Sequence, residues 1–232
     1  MAAGASKRTT VRRHPERGDY DRDTIHPILD EALFCHVGFV HDGQPFVIPT
    51  IHARVGDTLY LHGSPASRML RELELGVDVC VTVTLLDGVV LARSVYNSSM
   101  NYRSVVVVGR ARLVAERDEK LAALDAIVDH VAPGRGEDAR MPTEKELAGT
   151  KVLAVPLAEA SAKVRNGPPD DFEHDLDLPI WAGVVPVRLV AGAPETAPDL
   201  RMPVAVPGYA SAYAWRLRSG AQDGEDGARP SS

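Results

Sequence analysis

The sequence predicts a mainly β protein: a six- to eight-stranded antiparallel β-barrel with peripheral helices. Its apolar runs are short and are separated by turn pairs such as Asp42-Gly43 and Asp87-Gly88, which is typical of strands joined in hairpins. Four consecutive valines at 105–108 fit a strand buried on both faces, because β-branched side chains are stiff at χ1. Only a few segments show the helical spacing of apolar residues. Hairpins with inserted helices therefore favour one antiparallel barrel.

The first half of the chain predicts an alternation of helices and strands. Asp23-Thr24 can cap a short amphipathic helix, since apolar residues follow it at i, i+3 and i+4. Residues 35–53 read as two strands around the Asp42-Gly43 turn, and residues 58–62 read as a third strand. Ser64-Pro65 predicts the start of a second helix, because a hydroxyl residue followed by proline is a common helix entry.

The second half predicts more strands and two further helical segments. Residues 77–96 alternate around Asp87-Gly88 and read as a second hairpin. The polar stretch that begins at Ser98 leads into the valine strand. The remaining predicted elements are the end of that strand at Val114, a helix over 118–131, a helical turn over 143–147, a strand over 152–164 and a last strand over 181–190.

Composition bounds the domain organisation. Residues 1–20 read as a polar N-terminal extension, residues 21–193 as the barrel domain, and residues 194–232, rich in proline, alanine and glycine, as a mobile tail. The 232 residues carry a net charge of −6, which argues against a protein that binds nucleic acid by neutralising phosphates. No apolar run has the length of a membrane span, and the basic start lacks the apolar core of a secretory signal.

The cysteines indicate the redox compartment. Cys35 and Cys80 are isolated in strand-like segments and read as small buried apolar residues of a reducing compartment. We therefore expect a cytoplasmic protein without membrane or nucleic-acid partners.

The first candidate binding site lies between a strand and a helix. The segment His62-Gly63-Ser64-Pro65-Ala66-Ser67-Arg68 combines a glycine, two hydroxyls and a guanidinium at a helix start, which suits a phosphate dianion. The alternative is a capped helix whose Arg68 is merely solvated. The segment lacks the P-loop lysine pattern, and the chain has no dinucleotide-binding fingerprint.

Two further segments offer polar or aromatic groups to a ligand. Residues 98–101 open the valine strand, where they could read the edge of a planar heterocycle or simply form a satisfied strand edge. Trp181, with Lys163 and Arg165 on a neighbouring strand, could cover an aromatic ligand or serve as a core anchor beside surface charges.

The sequence indicates binding groups more clearly than acid–base groups. The acidic run at 170–177 lacks the glycine and the last glutamate of a calcium loop, the histidines lack metal-ligand spacing, and no nucleophile–base pair stands out. We therefore predict no metal site and name no catalytic residue. This pattern suits a cofactor that supplies its own reactivity.

Four blocks of sequence resemble one known family. They are Gln44-Pro45-Phe46-Val47-Ile48-Pro49, Leu59-Tyr60-Leu61-His62-Gly63-Ser64, Met100-Asn101-Tyr102-Arg103-Ser104-Val105, and Trp181-Ala182-Gly183-Val184-Val185-Pro186. In this order they resemble the pyridoxamine 5′-phosphate oxidase-like, FMN-binding split-barrel superfamily. The branch they resemble most is that of flavin-nucleotide-binding proteins related to the nitroimidazole-resistance (Nim) proteins. The likeness covers roughly residues 8–192.

The resemblance implies a homodimer with FMN at the subunit interface. It implies that the phosphate end is held by His62, Gly63, Ser64, Ser67 and Arg68. It implies that the edge of the isoalloxazine ring lies along Val47, Ile48, Pro49, Thr50 and Ile51. Ser98, Ser99, Met100 and Asn101 would approach the ribityl chain or the ring, and the second subunit would contribute Lys163 and Trp181.

Departures from the family pattern also limit which activity the resemblance implies. Ser67-Arg68 is followed by Met69 where pyridoxamine phosphate oxidases have lysine, and their C-terminal Arg-x-Glu-x-Trp element is missing, which argues against vitamin B6 oxidation. The implied function is an FMN-dependent oxidoreductase that acts on a small planar substrate. The alternative is a non-catalytic flavin-binding or redox-sensing module, or a relative that uses deazaflavin or haem.

Overall fold

The structure, a computed structural model, describes residues 6–213. Eleven strands lie in this range: β1 (Gly18–Asp19), β2 (Cys35–His41), β3 (Gln44–Thr50), β4 (His52–Val55), β5 (Thr58–Gly63), β6 (Asp78–Leu91), β7 (Ser99–Arg110), β8 (Arg112–Leu113), β9 (Lys151–Pro156), β10 (Ala160–Arg165) and β11 (Gly183–Pro186). The helices are α1 (Arg22–Glu31), α2 (Arg68–Glu74), α3 (Arg117–Val131), α4 (Arg135–Asp138), α5 (Glu144–Ala148) and α6 (Gly208–Ser211). None of the helices in this range is long and apolar enough to cross a membrane.

The strands form two antiparallel sheets. The larger has the order β1-β10-β7-β6-β2-β3, with β11 paired to β6, and the smaller has the order β4-β5-β9-β8. The chain passes from one sheet to the other at Ile51, through residues 64–77 that contain α2, at Ala111 and at residues 157–159. These corners join the sheets without closing a continuous barrel. The predicted mainly β split barrel with peripheral helices is therefore confirmed.

The space between the sheets is filled by branched aliphatic side chains. Val37, Val81 and Val107 from the larger sheet meet Leu61 and Leu153 from the smaller one, and each of them is at most 1% exposed. Helices α1 and α2 add Leu29 and Leu70 to the same cluster. Because each strand presents alternate residues to this core, the other face of the larger sheet points outward.

The Asp87-Gly88 pair forms a bulge rather than the predicted hairpin turn. Strand β6 continues through it to Leu91, and the register with β7 shifts between Leu86 and Gly88. A Cβ at Gly88 would lie 2.9 Å from Cγ1 of Val184, so glycine lets β11 approach closely. The bulge lets β6 pair with β2 along its first part and with β11 along its last.

Other element predictions are also corrected, including the predicted strands that the corners at Ile51 and Ala111 divide between the two sheets. Residues 152–164 form two strands in different sheets, because the chain turns where the Leu157 amide donates to the Asp57 carbonyl. Residues 64–67 form a turn closed by the Ser67 amide on the Ser64 carbonyl, so α2 begins at Arg68. The last strand ends at Pro186.

Cys80 is exposed, contrary to the expectation that both cysteines are buried. It lies on β6 between the core residues Val79 and Val81 and therefore points to the outer face of the larger sheet. Cys35 is buried as predicted, and the removal of its thiol from water raises its pKa to about 12.

The described part of the predicted tail contacts the helices. The Tyr209 hydroxyl donates to the Asp138 carboxylate at 3.0 Å, and the Tyr213 hydroxyl donates to the Val131 carbonyl at 2.5 Å. Residues 214–232 lie outside the described residues, as do residues 1–5. Mobility of the tail stays a prediction.

One guanidinium ties the bulge to the first helix. Arg103 on β7 donates two hydrogen bonds to Asp87, at 2.8 and 3.0 Å, and two more to Glu31 at the end of α1. The hydrogen bonds to Glu31 and then to Asp87 raise the pKa of Arg103. All three side chains are at least partly shielded from water, so this contact is stronger than a surface ion pair.

We expect Arg103→Met to lower the free energy of unfolding by about 2–4 kcal/mol, because two shielded carboxylates lose their counter-charge. Urea unfolding followed by circular dichroism measures the change. Arg110→Met is the matched control on the same strand, since Arg110 pairs with Asp78 in the open solvent. Equal stability of the two variants would contradict the role given to Arg103.

Candidate functional site

The predicted phosphate segment forms an open junction between β5 and α2. Its only guanidinium, Arg68, lies 4.9 Å from the centre of the Phe46 ring and has no hydrogen bond or ion pair among residues 6–213. A Cβ at Gly63 would lie 3.0 Å from Cδ1 of Leu70, so a larger residue here would require the buried Leu70 side chain to shift. A cation held over an aromatic ring, without an acidic partner, remains available to an anion.

His62 has an unusual environment at the end of β5. Its Nδ1 is shielded from water and has no hydrogen-bond partner among the described residues. Burial also lowers its pKa, since removal from water disfavours the charged imidazolium. At neutral pH the ring is therefore mainly neutral, with one nitrogen able to accept or donate a hydrogen bond to a ligand.

The predicted ring-binding strand is an exposed apolar edge. Strand β3 pairs with β2 alone in the described part of the chain, and 65% of Val47 is exposed. Ile48 and Ile51 are also exposed, although both are large and apolar. An unprotected apolar edge strand is rare in a monomer and indicates that something covers it. Pro49 and Thr50 complete this edge.

The four residues 98–101 differ in whether their side chains already have hydrogen-bond partners within the chain. Asn101 is buried, and its side-chain oxygen accepts hydrogen bonds from Arg165 and from the Gly167 amide, while its nitrogen donates to the Gly167 carbonyl. Asn101 therefore anchors the loop after β10, which matches the interpretation of a satisfied strand edge. Ser99 and Met100 are exposed on β7 opposite Val90 and Val89, and the Ser98 hydroxyl accepts from the Ala92 amide.

Lys163 and Trp181 lie in two other places. Lys163 is opposite Ser104 on β10 and donates to the Arg13 carbonyl at 2.8 Å. Trp181 is 66% exposed just before β11, and its ring lies against Gly183, which pairs with Leu91.

The structure brings some of these residues together and keeps others apart. Phe46 links β3 to Arg68, so the phosphate segment and the apolar edge are neighbours. Ile48 of β3 pairs with Val37 of β2, and Val37 pairs with Val81 of β6. Ser99 of β7 instead pairs with Val90 of β6. Val81 and Val90 are nine residues apart on β6, which is about 30 Å along the strand. Residues 98–100 and Trp181 therefore lie far from Arg68 in the same chain.

Two features of this region were missed by the sequence analysis. Phe46 was read as a strand residue within a family block, but its contact with Arg68 was not predicted; its pairing with Phe39 across the Asp42-Gly43 turn could have drawn attention to it. The outer face of the larger sheet carries no charged side chain at twelve neighbouring positions, which are Pro45, Val47, Pro49, His36, Gly38, Val40, Cys80, Thr82, Thr84, Ser104, Val106 and Val108. Alternation within each strand hints at this face, but only the register between strands assembles it.

Among residues 6–213 no group of three or more histidine, cysteine, aspartate or glutamate side chains could hold a metal ion. The arrangement offers instead an uncommitted arginine, a neutral histidine and an apolar edge. These groups can hold an anionic, largely flat ligand.

Solved structures similar to more than four fifths of this chain include two proteins at 40% identity or more. The flavocytochrome Anf3 from Azotobacter vinelandii is 44% identical, with 88% of this chain and 95% of that chain covered and a TM-score of 0.84. The FAD and heme binding protein from Mycobacterium smegmatis is 40% identical, with 83% and 95% covered and a TM-score of 0.80.

A candidate 5-nitroimidazole antibiotic resistance protein from Bacteroides thetaiotaomicron is 29% identical over 63% of this chain and 86% of that chain, with a TM-score of 0.52. No curated protein matches the sequence. The sequence pattern described as pyridoxamine 5′-phosphate oxidase matches residues 21–164, which is more than half of the chain. The chain therefore belongs to the pyridoxamine 5′-phosphate oxidase-like family.

Proposed function

We propose that this protein binds a flavin nucleotide in clefts between two copies of the chain and acts as an oxidoreductase on a small planar acceptor. The observation that carries the proposal is the uncommitted Arg68 guanidinium beside an exposed apolar strand. Support comes from the family and from two relatives, one named a flavocytochrome and the other an FAD and heme binding protein.

The phosphate end of the flavin would lie at the β5–α2 junction. Arg68 would supply a charge-assisted, two-pronged contact, and the hydroxyls of Ser64 and Ser67 would add donors. His62, which is mainly neutral at pH 7, would contact the ribityl chain or the phosphate from the end of β5.

The ring would lie along β3, where Val47 to Ile51 present apolar surface and an unpaired strand edge. A bound flavin supplies one- and two-electron chemistry, so the protein needs only to hold the ring, exclude water from one face and leave the other open to an acceptor.

FMN and FAD share the same ring and differ at the nucleotide end of the molecule. The sequence resemblance implies FMN, whereas the relative that is 40% identical is named for FAD. The named cofactor of a relative this similar supports FAD over FMN. Arg68 binds a phosphate in either case.

The homodimer has one support in the structure and one in the family resemblance. Six of the twelve uncharged positions on the outer face are proline or valine, including the exposed Val40 and Val47, and an exposed apolar patch often marks a protein–protein interface. The resemblance assigns residues 98–100 and Trp181 to the same flavin as Arg68, and they can join it only from a second copy, because about 30 Å of strand separates them in one chain. A two-fold dimer would make two such clefts.

A purified sample tests this function directly. We expect a yellow protein whose extracted cofactor has the mass of FAD, that is reduced anaerobically by NADH or NADPH, and that is reoxidised by a planar acceptor such as a nitroimidazole. Reduction without reoxidation by any acceptor would favour a flavin-binding or sensing module. A colourless protein that fails to bind added FAD and FMN would contradict the proposal.

Arg68→Ala should weaken flavin binding by about 10–100-fold, which is the loss expected for a charge-assisted phosphate contact. Fluorescence quenching of the added flavin measures the Kd. Arg71→Ala, one helical turn later on α2 and also exposed, is the matched control and should leave the Kd unchanged. An unchanged Kd in Arg68→Ala would remove this residue from the phosphate site.

Val47→Asp should convert the dimer to monomers, because it places a charge on the uncharged outer face. Light scattering during gel filtration measures the mass. Val55→Asp is the control on β4, since Val55 is comparably exposed but lies on the smaller sheet. A dimer that survives Val47→Asp would place the interface elsewhere.

A further inference from the structure

A long segment between β11 and α6 is exposed along almost its whole length. This arm, residues 187–207, contains neither helix nor strand, and every residue from 192 to 206 is exposed. Loops of this length without secondary structure are uncommon in compact domains and usually have a binding role. Between 46% and 77% is exposed of each of its six large apolar residues, which are Leu189, Val190, Leu200, Met202, Val204 and Val206.

The arm makes almost no hydrogen bonds along its length. Among residues 6–213, the one hydrogen bond of residues 188–206 is donated by the Leu200 amide to the Ala197 carbonyl, and it closes a turn within the arm itself. An exposed apolar surface of this kind marks a place where another molecule packs. The arm therefore lacks a packing partner within the described part of its own subunit.

Prolines make the arm stiff. Pro194, Pro198, Pro203 and Pro207 recur every four or five residues, and each fixes its own φ and lacks an amide proton for a sheet. This spacing is typical of a semi-rigid extended spacer and not of a helix or a central strand. A stiff segment loses little conformational freedom when it packs on a surface, so more of its apolar contact contributes to affinity.

The start of the arm is anchored near the end of α1. The Val187 amide donates to the Asp87 carbonyl at 3.1 Å. The Asp87 carboxylate accepts hydrogen bonds from Arg103, which also donates to Glu31, the last residue of α1. The first residue of the arm is therefore fixed to the body of the subunit.

The chain after the arm returns to the same region. The Tyr213 hydroxyl donates to the Val131 carbonyl, and the ring of the adjacent His130 contacts the carbonyl of Ala32, which follows α1. An extended segment of this length can span about 70 Å, which is much more than these neighbouring anchors require. The arm therefore extends away from its own subunit between two fixed ends.

We propose that the arm packs on a second copy of the chain, so that the two subunits of the dimer clasp each other with exchanged arms. The inference rests on the homodimer of the proposed function. The six apolar side chains present roughly 600 Å² of surface, at about 100 Å² for each. Two arms thus supply roughly 1,200 Å² before the surface that they cover is counted, which reaches the size of a stable interface.

The charges of the arm favour a second copy over a nucleic acid or an anionic membrane. Arg188 and Arg201 are balanced by Glu195 and Asp199, so the arm has no net charge with which to attract a polyanion. The arm also begins six residues after Trp181, which the proposed function assigns to the cleft of the other subunit. The arm therefore continues a contact between subunits that the flavin site already requires.

Analytical ultracentrifugation of the full-length protein over a range of concentrations tests this clasp. Met202→Asp is expected to raise the dissociation constant of the dimer at least about 100-fold. Loss of one buried apolar side chain weakens association about tenfold or more, and a two-fold dimer contains the residue twice. Because Met202 is 70% exposed in the single subunit, the variant should keep its fold, which circular dichroism checks.

Met141→Asp is the matched control. Met141 is the same residue type and is 64% exposed, but it lies between α4 and α5, away from the arm in sequence. The dissociation constant of this variant should equal that of the wild type.

An unchanged dissociation constant in Met202→Asp would overturn the clasp. If the melting temperature fell at the same time, the arm would pack on its own subunit. Either result, in a dimer that binds flavin, would leave the proposed function standing. A monomeric wild type would overturn the homodimer and the clasp together, whereas a wild-type dimer that binds neither FAD nor FMN would overturn the flavin proposal.

Discussion

The rest of the structure depends on the contact that Arg103 makes with Asp87 and Glu31. Asp87 can reach Arg103 because it lies in a bulge of β6. The same bulge lets this long strand pair with β2 near its start and with β11 near its end. Glu31 ends α1, which packs its apolar face on the core between the sheets. A single shielded guanidinium thus fixes helix α1 to the strand that lies between β7 and the β2–β3 pair, and the two halves of the candidate site lie on either side of that strand.

Much of this fold could be predicted from the sequence, and the errors have a common cause. The Asp42-Gly43 turn and the buried face of α2 follow from local chemistry, and both are observed. Asp87-Gly88 has the same local chemistry as a turn, but its role is set by partners distant in sequence, namely Arg103 and Val184. Residues 152–164 read as one strand because a change of sheet leaves the apolar pattern unbroken. The eleven strands exceed the six to eight predicted, since the corners divide long strands and β1 lies in the segment that was read as a polar extension.

In the candidate site, too, the sequence predicts local features but not those that depend on partners distant in the chain. The segment from His62 to Arg68 could be identified locally, because its residue types suit a phosphate. The role of Asn101 could not, because its partners Arg165 and Gly167 are brought to it only by the pairing of β7 with β10. The uncharged outer face depends on the register between strands, and the exposure of the arm depends on where both of its ends are anchored, which no single segment contains. Both surfaces are exposed in one chain, and both are explained if a second copy covers them.

The central claim is that each flavin cleft takes Arg68 from one subunit and Trp181 from the other. Mixing Arg68→Ala with Trp181→Ala protein, after dissociation and reassociation, tests this claim by flavin titration. The account predicts that the mixture regains tight flavin sites that neither variant has alone, because each mixed dimer contains one cleft with both native residues. If the mixture binds no more tightly than the separate variants, the two residues do not meet across a subunit interface and the account is contradicted.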